Sequence, residues 1–314
     1  MNRFAATAVV AAGAVGGALA QAGAPPISHE YAEVNGVRLH YAKTGTGPLI
    51  IFLHGFPEFW YEWKNQLLEF GRDHTAVAPD MRGYNLSSKP ADLSAYAVPQ
   101  LVEDIRALGA KLTDAKFTLV AHDWGGAVAW IFAALHPEMI DKLVIVNAPH
   151  PTVFARELRE NPAQQQASQY MLLFRSPEAE ATLSANNYAT LVTAILGEGI
   201  KNGTVTDEDR AAYIAAWSQP GALTGGLNYY RASGVGPPKP GEAPNDLLSQ
   251  PVIVRVPTLV IWGEKDTALL TGNLNGLEAF VPKLTIKRIP DATHWVVREK
   301  SPEVNRLIRE FLAQ

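Results

Sequence analysis

The 314-residue chain contains no cysteine, which excludes disulfide bonds, thiolate metal sites, a cysteine nucleophile and lipid attachment to a thiol. Whatever chemistry it performs uses oxygen and nitrogen. It also lacks a basic run. Its 27 Lys and Arg face 31 Asp and Glu for a net charge of −4, and no cluster could track a phosphate backbone, so nucleic acid is not expected as a partner. No His, Asp or Glu set has the spacing of His-Glu-x-x-His, and Gly45-Thr46-Gly47 lacks the third glycine and following helix of a nucleotide loop. Neither metal nor cofactor is expected. Internal repeats are absent. What is present is an apolar fraction of 47% with 18% charged residues, enough to bury the core of one or two domains.

One apolar stretch differs from the rest. Phe4 to Ala20 is uninterrupted, small and apolar behind the lone charge of Arg3, and Ala18-Leu19-Ala20 fits a small-x-small cleavage site. This reads as an export leader over residues 1–20, cleaved before Gln21. A single Arg is not a twin-arginine signal, so the expectation is Sec-type export to a periplasm or the medium. The stretch is too short and too rich in Ala and Gly for a stable membrane anchor. Losing it removes one Arg and no acid, leaving 26 basic against 31 acidic residues.

Two alternating segments between Tyr31 and Ala42 flank Asn35-Gly36, a dipeptide suited to a tight hairpin turn. Continuous apolar runs then recur at Pro48 to Leu53, His74 to Ala78, Phe117 to Ala121, Leu143 to Val146, Thr258 to Trp262 and Leu284 to Ile289, as strands buried on both faces require. Helical patterns separate them at Glu58 to Phe70, Pro99 to Leu112 and Trp124 to Leu135, with a last one at Pro302 to Leu312. Alternation of this kind predicts a mostly parallel central sheet with helices on both faces. From Pro149 the strands stop, and helix-type spacing rich in Ala, Gln, Asn and Tyr runs on to a loop at Gly234 to Pro244. The chain therefore divides into a first core part over 28–148, an inserted helical cap over 149–250 and a second core part over 251–314. The cap is expected over the carboxyl ends of the strands. Nothing in the sequence fixes an oligomeric state.

The chemistry centres on Ala121-His122-Asp123-Trp124-Gly125-Gly126, between an apolar strand and a helix, with small residues two positions either side of Asp123. That is a nucleophile elbow carrying Asp in the nucleophile's place. Taken alone, Asp123 is equally readable as a helix N-cap. His54-Gly55-Phe56-Pro57 adds a backbone N–H at Phe56 that can pair with that of Trp124 as an oxyanion hole. Asp266 ends one later strand and His294 follows the next, which gives the order nucleophile, acid, histidine.

With these residues in place the sequence resembles the α/β-hydrolase superfamily, and within it the epoxide hydrolase family that uses an Asp nucleophile, near the haloalkane and haloacetate dehalogenases. The resemblance spans about residues 30–314. It is carried by His54 to Glu58, by Asp80-Met81-Arg82-Gly83-Tyr84, by His122 to Gly126, by Asp266 with His294, and by the cap segments Tyr170 to Phe174 and Leu227 to Arg231. It implies an α/β-hydrolase fold and a site in which Tyr170 and Tyr230 are the cap's catalytic tyrosines, with Phe56 and Trp124 touching substrate. The implied reaction is opening of a small apolar epoxide by Asp123 and water to a vicinal diol. A carboxylate suits in-line attack on saturated carbon, phenols can protonate the forming alkoxide, and His294 held by Asp266 can activate the water that cleaves the ester. The rival readings are a dehalogenase with the same triad, or an exported binding or effector protein without turnover. Against the first, Phe56 offers no second halide donor beside Trp124, and Trp124 replaces the Arg expected for haloacetates. Asp80, Arg82, Tyr84, His54, His122, Tyr229 and His150 are read as structural.

Overall fold

The computed structural model describes residues 25–238 and 250–314. The leader expected over 1–20 lies outside the described residues, as do residues 239–244 of the expected loop. Strand β1 (Ser28–Val34) turns through Asn35 and Gly36, both at positive φ, into β2 (Val37–Thr44). β3 (Leu49–Leu53), β4 (Thr75–Pro79), β5 (Phe117–His122), β6 (Ile140–Val146), β7 (Thr258–Gly263) and β8 (Leu284–Ile289) complete one eight-stranded sheet in the order β1-β2-β4-β3-β5-β6-β7-β8. The β1–β2 and β2–β4 pairs are antiparallel and the other five are parallel.

The apolar runs of β3, β5 and β7 are buried at every position, because helices cover both faces. Alternate residues serve opposite layers. Ile51, Leu119, Leu143 and Val260 meet α2 (Val98–Leu112) and α3 (Asp123–Leu135) through Ile105, Leu108, Val128 and Phe132. Ile50, Phe52, Val120, Val144 and Ile261 meet α1 (Lys64–Phe70) and α12 (Ser301–Leu312) through Leu67, Phe70, Val304, Ile308 and Phe311.

Between β6 and β7 the described chain is helical: α4 (Pro151–Glu160), α5 (Pro162–Ala167), α6 (Tyr170–Phe174), α7 (Ala179–Leu191), α8 (Gly197–Lys201), α9 (Asp207–Trp217) and α10 (Ala222–Ser233). α7 is interrupted by left-handed Asn186, Asn187 and Tyr188, and a π-helical turn follows at Val192–Leu196. α10 rests on the loop after β4. A Cβ on Gly225 would stand 2.3 Å from the Gly83 carbonyl oxygen, and the Tyr229 hydroxyl donates to the Arg82 carbonyl at 2.8 Å. The insertion thus covers the carboxyl ends of the strands. A short α11 (Val296–Glu299) precedes α12. Among the described residues no helix is long and apolar enough to cross a membrane.

Two boundaries differ from expectation. The helix expected from Glu58 opens instead as a 3₁₀ turn, Trp60–Trp63, before α1, because Phe59 is extended and the Trp60 N–H is taken by the Asp80 carboxylate at 3.0 Å. β6 starts at Ile140 rather than Leu143, with Ile140 paired to Phe117 across a register shift.

Candidate active site

The site forms where β3, β5, β6, β7 and β8 end, on either side of the point at which successive strands part. Asp123 caps β5 at φ 48°, a left-handed conformation in which Asp is tolerated, and the chain turns at once into α3. Small neighbours permit this elbow. A Cβ on Gly125 would lie 2.4 Å from the Leu53 carbonyl oxygen, and one on Gly55 would lie 2.4 Å from the Asp123 Cβ. The Phe56 N–H donates to Asp123 Oδ1 at 2.8 Å. The Trp124 N–H, in the first turn of α3, has no partner within its own helix.

His294 Nε2 stands 3.6 Å from Asp123 Oδ2, and its Nδ1 donates to Asp266 Oδ2 at 2.7 Å. Asp266 is fully enclosed and holds four donors: Ala268 N–H and Leu269 N–H on Oδ1, Asn147 Nδ2 and His294 on Oδ2. Burial pushes this carboxyl up, but the histidine and the other donors outweigh it and hold it below the usual range. Burial likewise pulls His294 down, yet the charges of Asp266 and Asp123 raise it to about 9.

The helical insertion adds Tyr170 from α6 and Tyr230 from α10. Tyr230 is buried, edge-on to Trp124 and Phe56 at 5.1 and 5.5 Å, and Phe174 lies between the two tyrosines, edge-on to each at 5.1 Å. Tyr170 keeps some exposed ring, but its hydroxyl senses Asp123, Asp266 and Tyr230. Burial, then the Asp123 charge, lifts both phenols well above their ordinary value, so both are protonated. Beside them lies a cavity of about 390 Å³ whose walls include Asp123, Trp124, Ile131, Phe154, Met171, Tyr230 and Leu269. Apart from Asp123, Tyr230 and Ser233 its lining is apolar. Among the described residues no group of three or more His, Asp or Glu is placed to hold a metal ion.

A family model for the α/β-hydrolase fold matches residues 48–301. The chain is 36% identical to Epoxide hydrolase 4 of Mus musculus, covering 91% of this chain and 80% of that one. The chain belongs to the epoxide hydrolase family of α/β-hydrolases. It is also 41% identical to the AB hydrolase superfamily protein YfhM of Bacillus subtilis (strain 168), over 90% of this chain and 97% of that protein. The crystal structure of a Bacillus megaterium epoxide hydrolase in complex with an inhibitor superposes with a TM-score of 0.85 at 39% identity, covering 91% of this chain and all of that one.

Around this epoxide hydrolase-family site the residues read as structural take fixed places. His54 donates from Nδ1 to the Gly55 carbonyl and accepts the Met81 N–H on Nε2, so it is neutral, and burial holds it near 4. Arg82 pairs through two nitrogens with Asp104, and Asp80 binds His40, Asn85 and Trp60. Tyr84 packs edge-on to His54 and Tyr229, while His150 lies against Trp130 and Phe280 with neither ring nitrogen bonded.

Sequence reasoning missed Asn147. Its side chain ties Asp266 to both the N–H and the carbonyl of Gly263, clamping the ends of β6 and β7. An Asn just past a buried parallel strand was the available signal. It also missed a buried polar cluster beside His294. Glu58 takes the Tyr213 hydroxyl at 2.5 Å and Arg298 at 3.1 Å, Arg298 reaches the Ile195 carbonyl, and Trp295 reaches that of Ala194. The histidine loop is thereby fastened to the π-helical turn of the insertion. Burial raises Glu58 to about 7, with Glu62 adding to it and Arg298 opposing.

Proposed function

We propose that the protein hydrolyses small apolar epoxides to vicinal diols through an ester on Asp123. The observation that carries this reading is the convergence of two protonated phenols and a histidine–carboxylate pair on one carboxylate beside an apolar cavity. Phe56 occupies Oδ1, which leaves Oδ2 for in-line attack on an epoxide carbon. The carbon–oxygen bond breaks as a proton passes from Tyr230 or Tyr170 to the forming alkoxide. Esterification removes the Asp123 charge, one of the groups that raises His294, so the imidazolium pKa falls and His294 releases its proton to solvent, to regain one when the free Asp123 carboxylate returns. His294 takes a proton from water, and the hydroxide adds to Cγ while the N–H groups of Phe56 and Trp124 hold the oxyanion. The diol oxygen leaves with the histidine proton, and the remaining carboxyl proton returns to the phenolate.

Dehalogenation by the same triad is less well supported. The Trp124 indole, the candidate halide donor, interacts with the Tyr230 hydroxyl. A panel of apolar epoxides and haloalkanes assayed with wild type and Tyr230→Phe separates the readings. Epoxide turnover slowed about a hundredfold in the variant is the expected result, as loss of an acid or an oxyanion donor costs. Halide release with no epoxide turnover, indifferent to Tyr230→Phe, would overturn it. We also propose that residues 1–20 are a removable export leader and that residues 149–250 act as the cap.

A further inference from the structure

Gln164 of α5 is fully buried, and neither step of the reaction uses it. Its amide is nevertheless saturated. Nε2 donates to the Ala268 carbonyl at 2.8 Å and to Ser168 Oγ at 2.9 Å, while Oε1 accepts the Leu270 N–H and Asn273 Nδ2, each at 2.9 Å. These partners fix which way the amide points, because a carbonyl only accepts and a main-chain N–H only donates. Three of the four bonds fall on the segment that follows β7. The same segment faces the site with its other groups: the N–H groups of Ala268 and Leu269 both donate to Asp266 Oδ1 at 2.8 Å, and Asp266 Oδ2 takes His294 Nδ1 at 2.7 Å. The backbone of residues 268–270 is thus gripped between an amide of the helical insertion and the Asp266 carboxylate.

We propose that Gln164 is a positioning residue for ester hydrolysis: its amide holds the 268–270 backbone in the place from which two N–H groups aim Asp266 at His294. The inference rests on the reading of His294 as the base of the second step. A carboxylate turns about its Cβ–Cγ bond unless donors fix both oxygens, and a turn of Asp266 would carry the His294 ring away from the ester carbonyl. On the Oδ2 side Asn147 is anchored to Gly263 at the strand ends. On the Oδ1 side the donors sit in a loop, and Gln164 meets that loop's outward Ala268 carbonyl and Leu270 N–H. An apolar side chain in place of the amide strips both groups of this partner. The loop must then shift to recover hydrogen bonds, and the Ala268 and Leu269 N–H groups shift with it. Tyr170 opens the next helix, but the chain leading to it is tied by main-chain bonds, from Ser168 N–H to the Gln164 carbonyl and from Met171 N–H to the Ser168 carbonyl. Ring opening should therefore be spared.

Single-turnover kinetics with an apolar epoxide, resolving ester formation from ester hydrolysis, test the proposal on Gln164→Met, which keeps the side-chain length and removes the amide. Hydrolysis should slow about tenfold or more while ester formation stays within about threefold of wild type, so that kcat and KM fall together and the ester accumulates. A merely structural role would lower the melting temperature without separating the two steps. The effect should also vanish where Asp266 is already disabled: in an Asp266→Asn background the same substitution should change hydrolysis by less than about twofold. Slowing that multiplies in that background would overturn the proposal, as would a Gln164→Met enzyme slowed chiefly in ester formation, equally in both steps, or in neither. If the Met variant fails to fold, Gln164→Glu, which keeps the acceptor for Leu270 and Asn273 but gives up donor hydrogens, is held to the same outcomes. Absence of any ester in a His294→Gln control would overturn the ester reading itself, and the proposal with it.

Discussion

Asp266→Asn isolates the part of the mechanism that the geometry constrains most. Oδ1 of Asp266 receives two main-chain N–H groups at 2.8 Å, and Oδ2 receives Asn147 and His294. An amide NH₂ placed on the first side would meet two donors that cannot move. It must therefore take the Oδ2 position, where it loses the Asn147 bond and donates to His294 Nδ1, which forces the imidazole hydrogen onto Nε2. The nitrogen facing Asp123 then has no lone pair with which to take a proton from water. The variant also loses the charge that, with Asp123, holds His294 at about 9 against an ordinary 6.5, a difference of about 3 kcal/mol at 1.36 kcal/mol per pH unit. Together the wrong tautomer and the lost charge should slow ester hydrolysis by about 10³ to 10⁴. Ester formation needs no base and should stay within about tenfold of wild type. Rapid mixing with excess epoxide, followed by quenching and mass measurement, would then find the enzyme almost wholly esterified at steady state. Hydrolysis within tenfold of wild type, or equal slowing of both steps, would refute the assignment of Asp266 as the tautomer-holding partner.

Two further outcomes are expected. His150 is held near 4 by burial and has no hydrogen bond to lose, so the native state binds fewer protons than the unfolded chain between pH 6.5 and 4, and stability must fall as the pH drops through that window. Its share is about 2 kcal/mol between pH 7 and 5. His150→Phe, which keeps the stack on Phe280, should remove that share in urea titrations, and an unchanged pH dependence would refute the argument. The leader reading predicts that protein recovered from its native host begins at Gln21. An intact Met1 on that material would refute it.

The sheet was legible because strands buried on both faces have to be continuously apolar, and five such runs fall where β3 to β7 lie; β8, expected as a sixth, is instead a half-exposed edge strand carrying Thr285, Lys287 and Arg288. The elbow was legible for a steric reason: positions where an added Cβ would stand 2.4 Å from a neighbouring backbone or from Asp123 admit only glycine, and Gly55 and Gly125 flank the turn in space. Asp266 and His294 followed from their places at strand ends. The approach of Tyr170 and Tyr230 was not readable from spacing, because it depends on how α6 and α10 pack across sixty residues; the family resemblance supplied it. Glu62 was hidden for a different reason. It lies inside the segment expected as helix from Glu58, but the Asp80 carboxylate starts that segment as a 3₁₀ turn, which brings Glu62 inward to His122. Asn147 offered only its place just past a buried strand, a weak signal because one polar residue there has many uses.

The central claim is that Asp123 becomes covalently esterified and that His294 releases the product. Its most direct test is the intact mass of His294→Gln after incubation with an apolar epoxide, followed by peptide mapping. The account predicts a gain of one substrate mass on the peptide containing Asp123, absent in the Asp123→Asn, His294→Gln double variant. An adduct that survives loss of the Asp123 carboxylate, or diol formation by His294→Gln at the wild-type rate with no adduct, would contradict it.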